Sequence, residues 1–104
     1  MNPVKRTLTE ARKLLQEGWT QNHFAENEDG ERRHYDDEDA CKFCLGGAII
    51  RSSRNSYEKV ATLETMVTHL GMTVFAFNDT PGMSQRLVIE AVDEVIAKFD
   101  ESSL

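Results

Sequence analysis

Two cysteines separated by two residues, Cys41 and Cys44, are the side chains in this chain best suited to chemistry. A CxxC pair can supply two ligands to zinc, which takes four sulfur or nitrogen ligands in proteins. The other ligands would come from histidines that are scattered along the chain, at His23, His34 and His69. Because no second CxxC completes a paired spacing, the pattern favours two reduced thiols on a buried segment. We therefore predict no cofactor, and any metal site would involve Cys41, Cys44 and His34.

Cys44 also has the residue type of a nucleophile. In acyl transfer, His34 or His69 would act as its general base, and Asn78 or Asp79 would orient that base. A chain with three histidines and 18 acidic residues forms such trios by chance, however. A redox CxxC needs a preceding strand, and no βαβ pattern surrounds this one. The sequence favours a protein that is not an enzyme, and the alternative is a zinc-binding protein or hydrolase centred on Cys44, His34 and Asp79.

A second candidate site is the charged stretch between the tryptophan and the cysteines. Its acidic residues form two clusters on either side of a basic and aromatic segment, Arg32–Tyr35. Mixed charge beside an aromatic ring is typical of protein-binding surfaces. The spacing does not match the calcium loop of EF-hand proteins. We predict that a protein partner binds to Asp29, Arg32, Arg33, Tyr35, Asp36, Asp37 and Asp39.

A third group of polar residues has a structural interpretation. Trp19 needs an acceptor for its indole N–H when it is buried, and an amide or carboxylate side chain supplies one. Asn78 and Asp79 have the short side chains that satisfy backbone amides in turns and helix caps. We predict a polar cluster of Trp19, Gln21, Asn78 and Asp79 that joins the ends of helices.

Composition narrows the classes of partner. The formal net charge of −6 disfavours direct binding to nucleic acid or to an anionic membrane, because both require clustered Lys and Arg. An acidic protein can instead bind a basic surface of another protein. No apolar run is long enough to cross a bilayer, and the N-terminal segment lacks the core of a signal peptide. We predict a cytoplasmic protein that is a monomer or a homodimer, the latter with helices crossing at Gly46 and Gly47.

These candidate residues must be positioned by helices. The first helix is predicted to start at Asn2 or Thr7 and to end at Gly18. The second is predicted from Asp37 or Asp39 to about Ser53, and it contains the most apolar stretch of the chain, residues 41–50. The inward-facing residues of the first helix are predicted to be Val4, Leu8, Ala11, Leu15 and Trp19.

Two further helices complete the predicted architecture. The third runs from Ser56 to Gly71, with Val60, Leu63, Val67 and Leu70 facing inward. Residues 72–79 favour one or two helical turns over a strand, which would have no partner. Ser84 caps the last helix, whose inward face is predicted to contain Leu87, Val88, Ala91, Val92, Val95, Ile96 and Phe99. Residues 21–39 are predicted to be irregular, because no alternating pattern flanks the Asp-Gly turn that would support a hairpin.

The prediction is therefore a single all-α domain, residues 1–104, with about four helices and a long acidic loop between the first and second. The order of a Trp-x-Gln motif at Trp19, a Cys-x-Gly-Gly-Ala motif at Cys44 and a Phe-Asn-Asp motif at Phe77 resembles a family of small bacterial and phage proteins of unknown function. That resemblance covers most of the chain and implies a helical accessory protein. It implies no catalytic residues.

Overall fold

The structure, a computed structural model, describes residues 2–102 of the chain and the side chains of residues 2–100. Within that range lie five helices: α1 (Pro3–Glu17), α2 (Leu45–Ser52), α3 (Ser56–Leu70), α4 (Val74–Asn78) and α5 (Gln85–Ser102). Three short strands lie between α1 and α2: β1 (Ala25–Glu26), β2 (Arg32–Arg33) and β3 (Lys42–Phe43). Helices α1, α2 and α5 enclose the centre of the core, where Leu8, Leu15, Leu45, Ile49 and Val92 are fully buried.

The prediction of an all-α fold is wrong, because the three strands form an antiparallel sheet in the order β2-β1-β3. Ala25 of β1 pairs with Arg33 of β2 on one side and with Phe43 of β3 on the other. The fold is therefore α+β. Each strand has only two residues, which is too short for the alternation of apolar and polar residues that reveals a strand in a sequence.

The hairpin that the sequence disfavoured is present at the predicted Asp-Gly turn. Asn27 holds the turn, since its Oδ1 accepts the backbone N–H groups of Asp29 and Glu31, each at 3.0 Å. Gly30 has a φ of 79°, a left-handed conformation that glycine adopts without strain. The prediction of an irregular loop over residues 21–39 is wrong here. The flanks lack β-branched residues, and the hydrogen bonds of the buried asparagine hold the hairpin instead.

Helix α1 forms as the sequence predicts. Asn2 is its N-cap and accepts the backbone N–H of Val4 at 2.8 Å, and Pro3 occupies the first helical position. The apolar stripe of Val4, Leu8, Ala11 and Leu15 is buried. Trp19 lies beyond the helix and is partly buried. The start at Asn2 and the end at Gly18 are confirmed.

Helix α2 begins later than predicted. Its N-cap is Cys44 rather than Asp37 or Asp39. The residues before it are extended, because the backbone N–H of Cys41 donates to the carbonyl of Glu26 at 2.8 Å and Phe43 belongs to β3. The prediction that this apolar stretch is buried is confirmed, since every residue in the range 43–49 is buried.

Helix α3 turns only part of the predicted face to the core. Val60 and Val67 are 48% and 39% exposed, whereas Thr62 and Met66 are fully buried. Glu58 lies on the buried face and forms an ion pair with Arg6 of α1 at 2.6 Å. Of the predicted stripe, Leu63 and Leu70 are partly buried and pack against the core, whereas Val60 and Val67 lie outside it. The helix is capped by Asn55, one residue before the predicted Ser56, and it ends at Gly71 as predicted.

The last two helices agree with the sequence in most respects. Thr73 caps the short helix α4, which confirms the helical turns predicted for residues 72–79. In α5 the side chains of Val88, Val92 and Val95 are buried as predicted, but Leu87 is exposed. Among residues 2–102, none of the helices combines the length and the apolar character that crossing a lipid bilayer requires.

The ionisation of Glu58 makes a testable contribution to stability. Its Oε1 accepts the backbone N–H of Arg54 at 2.9 Å and a guanidinium N–H of Arg6 at 2.6 Å. These bonds hold the pKa of Glu58 below its ordinary value of 4.5. When a carboxyl has a lower pKa in the folded state, its stabilisation is complete above the unfolded-state pKa and is lost as the pH falls through the folded-state pKa.

We therefore expect the thermal midpoint of unfolding to fall as the pH drops below about 4.5, and the Glu58→Gln variant to show a smaller fall. Circular dichroism melting curves between neutral and acidic pH measure this difference. Glu64→Gln, at an exposed position on the same helix, is the control and should retain the pH dependence of the unchanged protein. If the Glu58→Gln variant shows the same pH dependence as the unchanged protein, the ionised Glu58 carboxylate does not make this contribution to stability.

Candidate functional site

Asn78, the last residue of α4, is fully buried and connects several parts of the chain. Its Oδ1 accepts the indole N–H of Trp19 at 2.7 Å and the backbone N–H of Leu45 at 2.9 Å. Its Nδ2 donates to the carbonyl of Thr20 at 3.1 Å and to Asp79 Oδ1 at 3.0 Å. All four hydrogen-bonding positions of the amide are used. The side chain thus holds the segment after α1, the start of α2 and the end of α4 together.

Gln21 and Asp79 extend this network. Gln21 Nε2 donates to the carbonyl of Asn78 at 3.0 Å, and Asp79 Oδ1 accepts the backbone N–H of Asn22 at 2.9 Å. Asn22 has a φ of 74°, a conformation that asparagine adopts more readily than most side chains. The structure therefore places Trp19, Gln21, Asn78 and Asp79 in one hydrogen-bonded cluster.

The two glycines after Cys44 allow aromatic residues to approach the start of α2. A Cβ atom on Gly46 would lie 2.2 Å from Cε1 of Phe75, and one on Gly47 would lie 2.4 Å from the carbonyl oxygen of Phe24. Only glycine leaves room for both contacts. These positions are covered from within the chain, so a second copy cannot cross α2 there as the homodimer prediction requires.

A small open cavity lies beside the start of α2. Phe24 and Phe75 form two of its walls, with ring centroids 5.8 Å apart in an edge-to-face arrangement. Both rings are accessible, at 40% and 38% exposure. The cavity has a volume of about 200 Å³ and is lined by Asn22, His23, Phe24, Cys44, Phe75 and Asp79.

The thiol of Cys44 is not activated for nucleophilic attack. The residue is 4% exposed, and burial raises the pKa of its thiol above the ordinary value. The neighbouring Asp79 carboxylate also raises that pKa, while the backbone N–H of Gly47, which donates to Sγ at 3.2 Å, opposes the shift. A reactive cysteine has a lowered pKa or an adjacent base. At neutral pH Cys44 is therefore an uncharged wall of the cavity.

The histidines do not occupy the places that the enzyme and zinc hypotheses assign to them. The ring of His34 lies 4.0 Å from that of Tyr35, and His34 does not line the cavity with Cys44 and Asp79. His69 Nε2 contacts Glu94 Oε1 at 2.9 Å, on the surface between α3 and α5.

His23 is the histidine that lines the cavity, and its Nε2 contacts the Glu26 carboxylate. Cys41 and Cys44 are both unpaired thiols. Over the part of the chain that the structure describes, no three His, Cys, Asp or Glu side chains are grouped so as to hold a metal ion. The structure thus brings Cys44 and Asp79 together without a zinc-like ligand set.

The residues 26–39, which we name the acidic face, have an ordered backbone. At one end Asn27 is buried and binds the turn of the hairpin, as described above. At the other end Arg51 of α2 donates to the carbonyls of Tyr35 and Asp37, each at 2.9 Å. The guanidinium of Arg51 also lies 5.3 Å from the centroid of the Phe43 ring. The core therefore holds the acidic face at both ends.

Some charges of the acidic face pair with one another. Asp39 accepts the Arg33 guanidinium at 3.0 Å and 3.1 Å, which lowers the pKa of Asp39. Asp37 Oδ2 accepts the backbone N–H of His34 at 2.9 Å. Glu26 accepts the Thr20 hydroxyl at 2.6 Å, and this bond lowers the pKa of Glu26. These carboxylates maintain the shape of the surface.

Other charges of the acidic face point outward. Arg32 is exposed on β2, an edge strand of the sheet. Within the acidic face, four exposed carboxylates have no side-chain hydrogen bond or ion pair to any described residue: Glu28, Asp29, Asp36 and Glu38. Of the residues predicted to bind a partner, Asp29, Arg32 and Asp36 are therefore free to do so, whereas Arg33, Asp37 and Asp39 are partly engaged within the chain.

Aromatic rings continue from the acidic face to the cavity. Tyr35 meets Phe24 edge to face at 5.6 Å, and Phe24 meets Phe75 in turn. We name Tyr35, Phe24 and Phe75 the aromatic row. Phe24 and Phe75 were not among the residues predicted from the sequence. The Gly-Gly pair was the available signal for them, because adjacent glycines in a buried helix indicate close approach by another group.

The fold and these surfaces define a small α+β protein with an ordered acidic face beside an aromatic row. The chain belongs to a family of unknown function, DUF6197, whose model matches residues 1–98. The resemblance to an uncharacterised family is confirmed at that level. Comparisons with curated proteins and with solved structures gave no match.

Proposed function

We propose that this protein binds another protein through the acidic face and the aromatic row, and that it blocks or modulates that partner by covering a basic surface. One observation carries the proposal. The acidic face contains eight of the 18 acidic residues and two of the 12 basic residues, so its formal charge of −6 equals that of the whole chain. The rest of the protein is neutral. The charge is therefore concentrated on one surface, which steers a basic partner toward it.

The order of the acidic face supports this proposal. A flexible acidic loop would lose conformational entropy when it binds, whereas a surface already in its bound shape does not. Here the bonds of Asn27 and Arg51 fix both ends of the segment. The four free carboxylates keep their charge available, because none of them is neutralised within the described residues.

The aromatic row supplies apolar contact area, which charge alone does not provide. Rim charges mainly change the rate of association, whereas buried aromatic residues give much of the binding energy at protein interfaces. Phe24 and Phe75 are large, accessible and supported from behind by α2. A partner that covers them gains apolar contact next to its ionic contacts. This combination favours a specific protein over a nonspecific polycation.

The cysteine thiols bear on the compartment in which the protein acts and on two alternative functions. We place the protein in the cytoplasm of a bacterium, as its own or as a phage accessory protein, and its unpaired thiols are typical of a reducing compartment. A hydrolase or zinc protein centred on Cys44 is not favoured, because the thiol is buried and protonated and His34 lies elsewhere.

The test compares the unchanged protein with an Asp36→Asn, Glu38→Gln variant, in which two free carboxylates become neutral. Each protein is immobilised, and a lysate of the source organism is passed over it at low salt. Proteins captured by the unchanged chain are identified by mass spectrometry and purified. We expect the association rate constant with such a protein to fall roughly tenfold in the variant and to fall for the unchanged chain as salt is added.

The matched control is Glu17→Gln, Glu64→Gln, which removes the same charge from exposed positions on α1 and α3. We expect this control to capture the same proteins as the unchanged chain at nearly the same rate. If both double variants behave alike, net charge explains the binding and the acidic face has no special role.

A further inference from the structure

We infer that the cavity beside α2 accepts one lysine or arginine side chain of the partner, with its alkyl stem against the Phe24 and Phe75 rings and its cationic group next to Asp79. This inference rests on the proposed function, because it names the group of the partner that anchors the complex. The cavity adjoins the aromatic row, which ends at Phe75. A basic partner lying on the acidic face therefore reaches the cavity directly.

The size of the cavity limits its occupant. A volume of about 200 Å³ is below the range of about 300–1,000 Å³ that is usual for cofactors and drug-sized ligands. It suits a single side chain. The two phenylalanine walls offer apolar contact to the alkyl part of such a chain, and aromatic rings attract a nearby cation. A long basic side chain, apolar along its stem and charged at its end, matches this lining.

Asp79 supplies the charge that selects a cation. Its Oδ1 is held by two donors, the backbone N–H of Asn22 at 2.9 Å and Asn78 Nδ2 at 3.0 Å. Its Oδ2 has no hydrogen-bond partner among the described residues. The carboxylate is therefore fixed in position with one oxygen open, and it need not be reoriented when an ammonium or guanidinium group binds. Such charge-assisted hydrogen bonds are stronger than neutral ones.

The rest of the lining is consistent with this selection. Cys44 is protonated at neutral pH, so it adds no charge of its own. His23 contacts the Glu26 carboxylate, which balances any positive charge on the imidazole. An anionic side chain entering the cavity would meet Asp79 without a free cation to offset it. A neutral side chain would gain no charge-assisted hydrogen bond from the open oxygen of Asp79, which is exposed to solvent.

The test uses the ¹⁵N-labelled protein and three probes: N-acetyl-lysine methylamide, n-butylammonium and 1-butanol. Amide shifts in two-dimensional NMR report binding. We expect both cations to shift the amides of Asn22, Phe24 and Asp79, and 1-butanol to bind at least about tenfold more weakly. If the blocked lysine fails to bind while n-butylammonium binds, the cavity serves a free amine and not a partner's side chain, which would overturn the inference.

Asp79→Asn is the decisive variant. An asparagine at this position retains an Oδ1 that can accept from Asn22 and Asn78, but it replaces the open carboxylate oxygen with an uncharged amide NH2 group, which donates hydrogen bonds. We expect the variant to bind the blocked lysine at least about tenfold more weakly. Glu17→Gln, at an exposed position on α1, is the charge-matched control and should bind as the unchanged chain does. Equal binding by the Asp79→Asn variant would refute the inference.

A second variant guards against a misfolded Asp79→Asn protein. Phe75→Leu retains an apolar wall but removes the ring. We expect it to reduce the preference for n-butylammonium over 1-butanol, and an unchanged preference would count against the inference. Because these titrations contain no partner, their failure leaves the capture experiment with Asp36 and Glu38 unaffected. Failure of the capture experiment likewise leaves the titrations interpretable.

Discussion

Replacing Asn78 with alanine is expected to lower the free energy of unfolding by about 4 kcal/mol, which is a large part of the stability of a small domain. The substitution removes the acceptor of the Trp19 indole N–H and of the Leu45 backbone N–H. It also removes the donor to the Thr20 carbonyl. Each group left without a partner in a buried site costs about 1–3 kcal/mol, and water reaches only some of them. Urea denaturation followed by tryptophan fluorescence measures the loss.

Gln21→Ala is the matched control for this prediction. Gln21 belongs to the same cluster and also donates through a side-chain amide, but it is partly exposed and bonds only to the carbonyls of Asn78 and Thr80. Water can replace those bonds, so we expect a loss below about 1 kcal/mol. Similar losses for Asn78→Ala and Gln21→Ala would show that the buried amide does not hold the three segments together.

Gly47→Ala is expected to destabilise the protein by about 2 kcal/mol, although it places a better helix former in α2. Helix propensity alone predicts a gain of about 1 kcal/mol. The new methyl group, however, would lie 2.4 Å from the carbonyl oxygen of Phe24. That oxygen cannot move freely, because it accepts the backbone N–H of Cys44 at 3.1 Å. Urea denaturation measures the change in the free energy of unfolding. A decrease shows that the clash with the Phe24 carbonyl outweighs the gain in helix propensity, and an increase shows the reverse.

Gly46→Ala provides an internal comparison. Its methyl group would meet the ring of Phe75, an exposed side chain that can be removed. We expect Phe75→Ala to relieve most of the destabilisation caused by Gly46→Ala and little of that caused by Gly47→Ala. A double-mutant cycle measures both couplings. If Gly47→Ala proves more stable than the unchanged protein, the close packing of Phe24 against α2 is incorrect.

The helices that the sequence predicts well are those with local signals. Asn2 followed by Pro3 marks the start of α1 because both residues act on backbone groups next to them. The valine stripe of α5 has the period of a helix over many residues. The burial of residues 43–49 follows from composition alone. Such features depend on neighbours in the chain, so they can be recognised before the fold is known.

The predictions from sequence are wrong where contacts between residues distant in the chain determine the structure. The start of α2 is set by β3, and β3 exists because Phe43 pairs with Ala25 of β1, far away in sequence. On α3, Glu58 lies on the buried face in an ion pair with Arg6, a residue distant in sequence, while Val60 is left outside the core. An apolar stripe is normally a core face, so the exposed Val60 could not be inferred from periodicity.

In the candidate site, too, some features can be predicted from the sequence and others depend on contacts between distant segments. The clustering of Trp19 with Asn78 follows from a general requirement, since a buried indole N–H needs an acceptor. The acidic face was recognised from its composition, but its order was not, because Asn27 and Arg51 act through backbone groups elsewhere in the chain. The cavity could not be predicted, because its walls come from three separate segments that only the fold brings together.

The most direct test of the account is to map the partner's contact surface by NMR, using the ¹⁵N-labelled protein and a purified protein captured as described above. The account predicts that amide shifts concentrate in residues 24–39, with further shifts at Phe75 and Asp79. The exposed stripe of α3, which contains Tyr57, Val60 and Val67, should be unaffected. Shifts centred on that stripe, with none on the acidic face, would contradict the central claim.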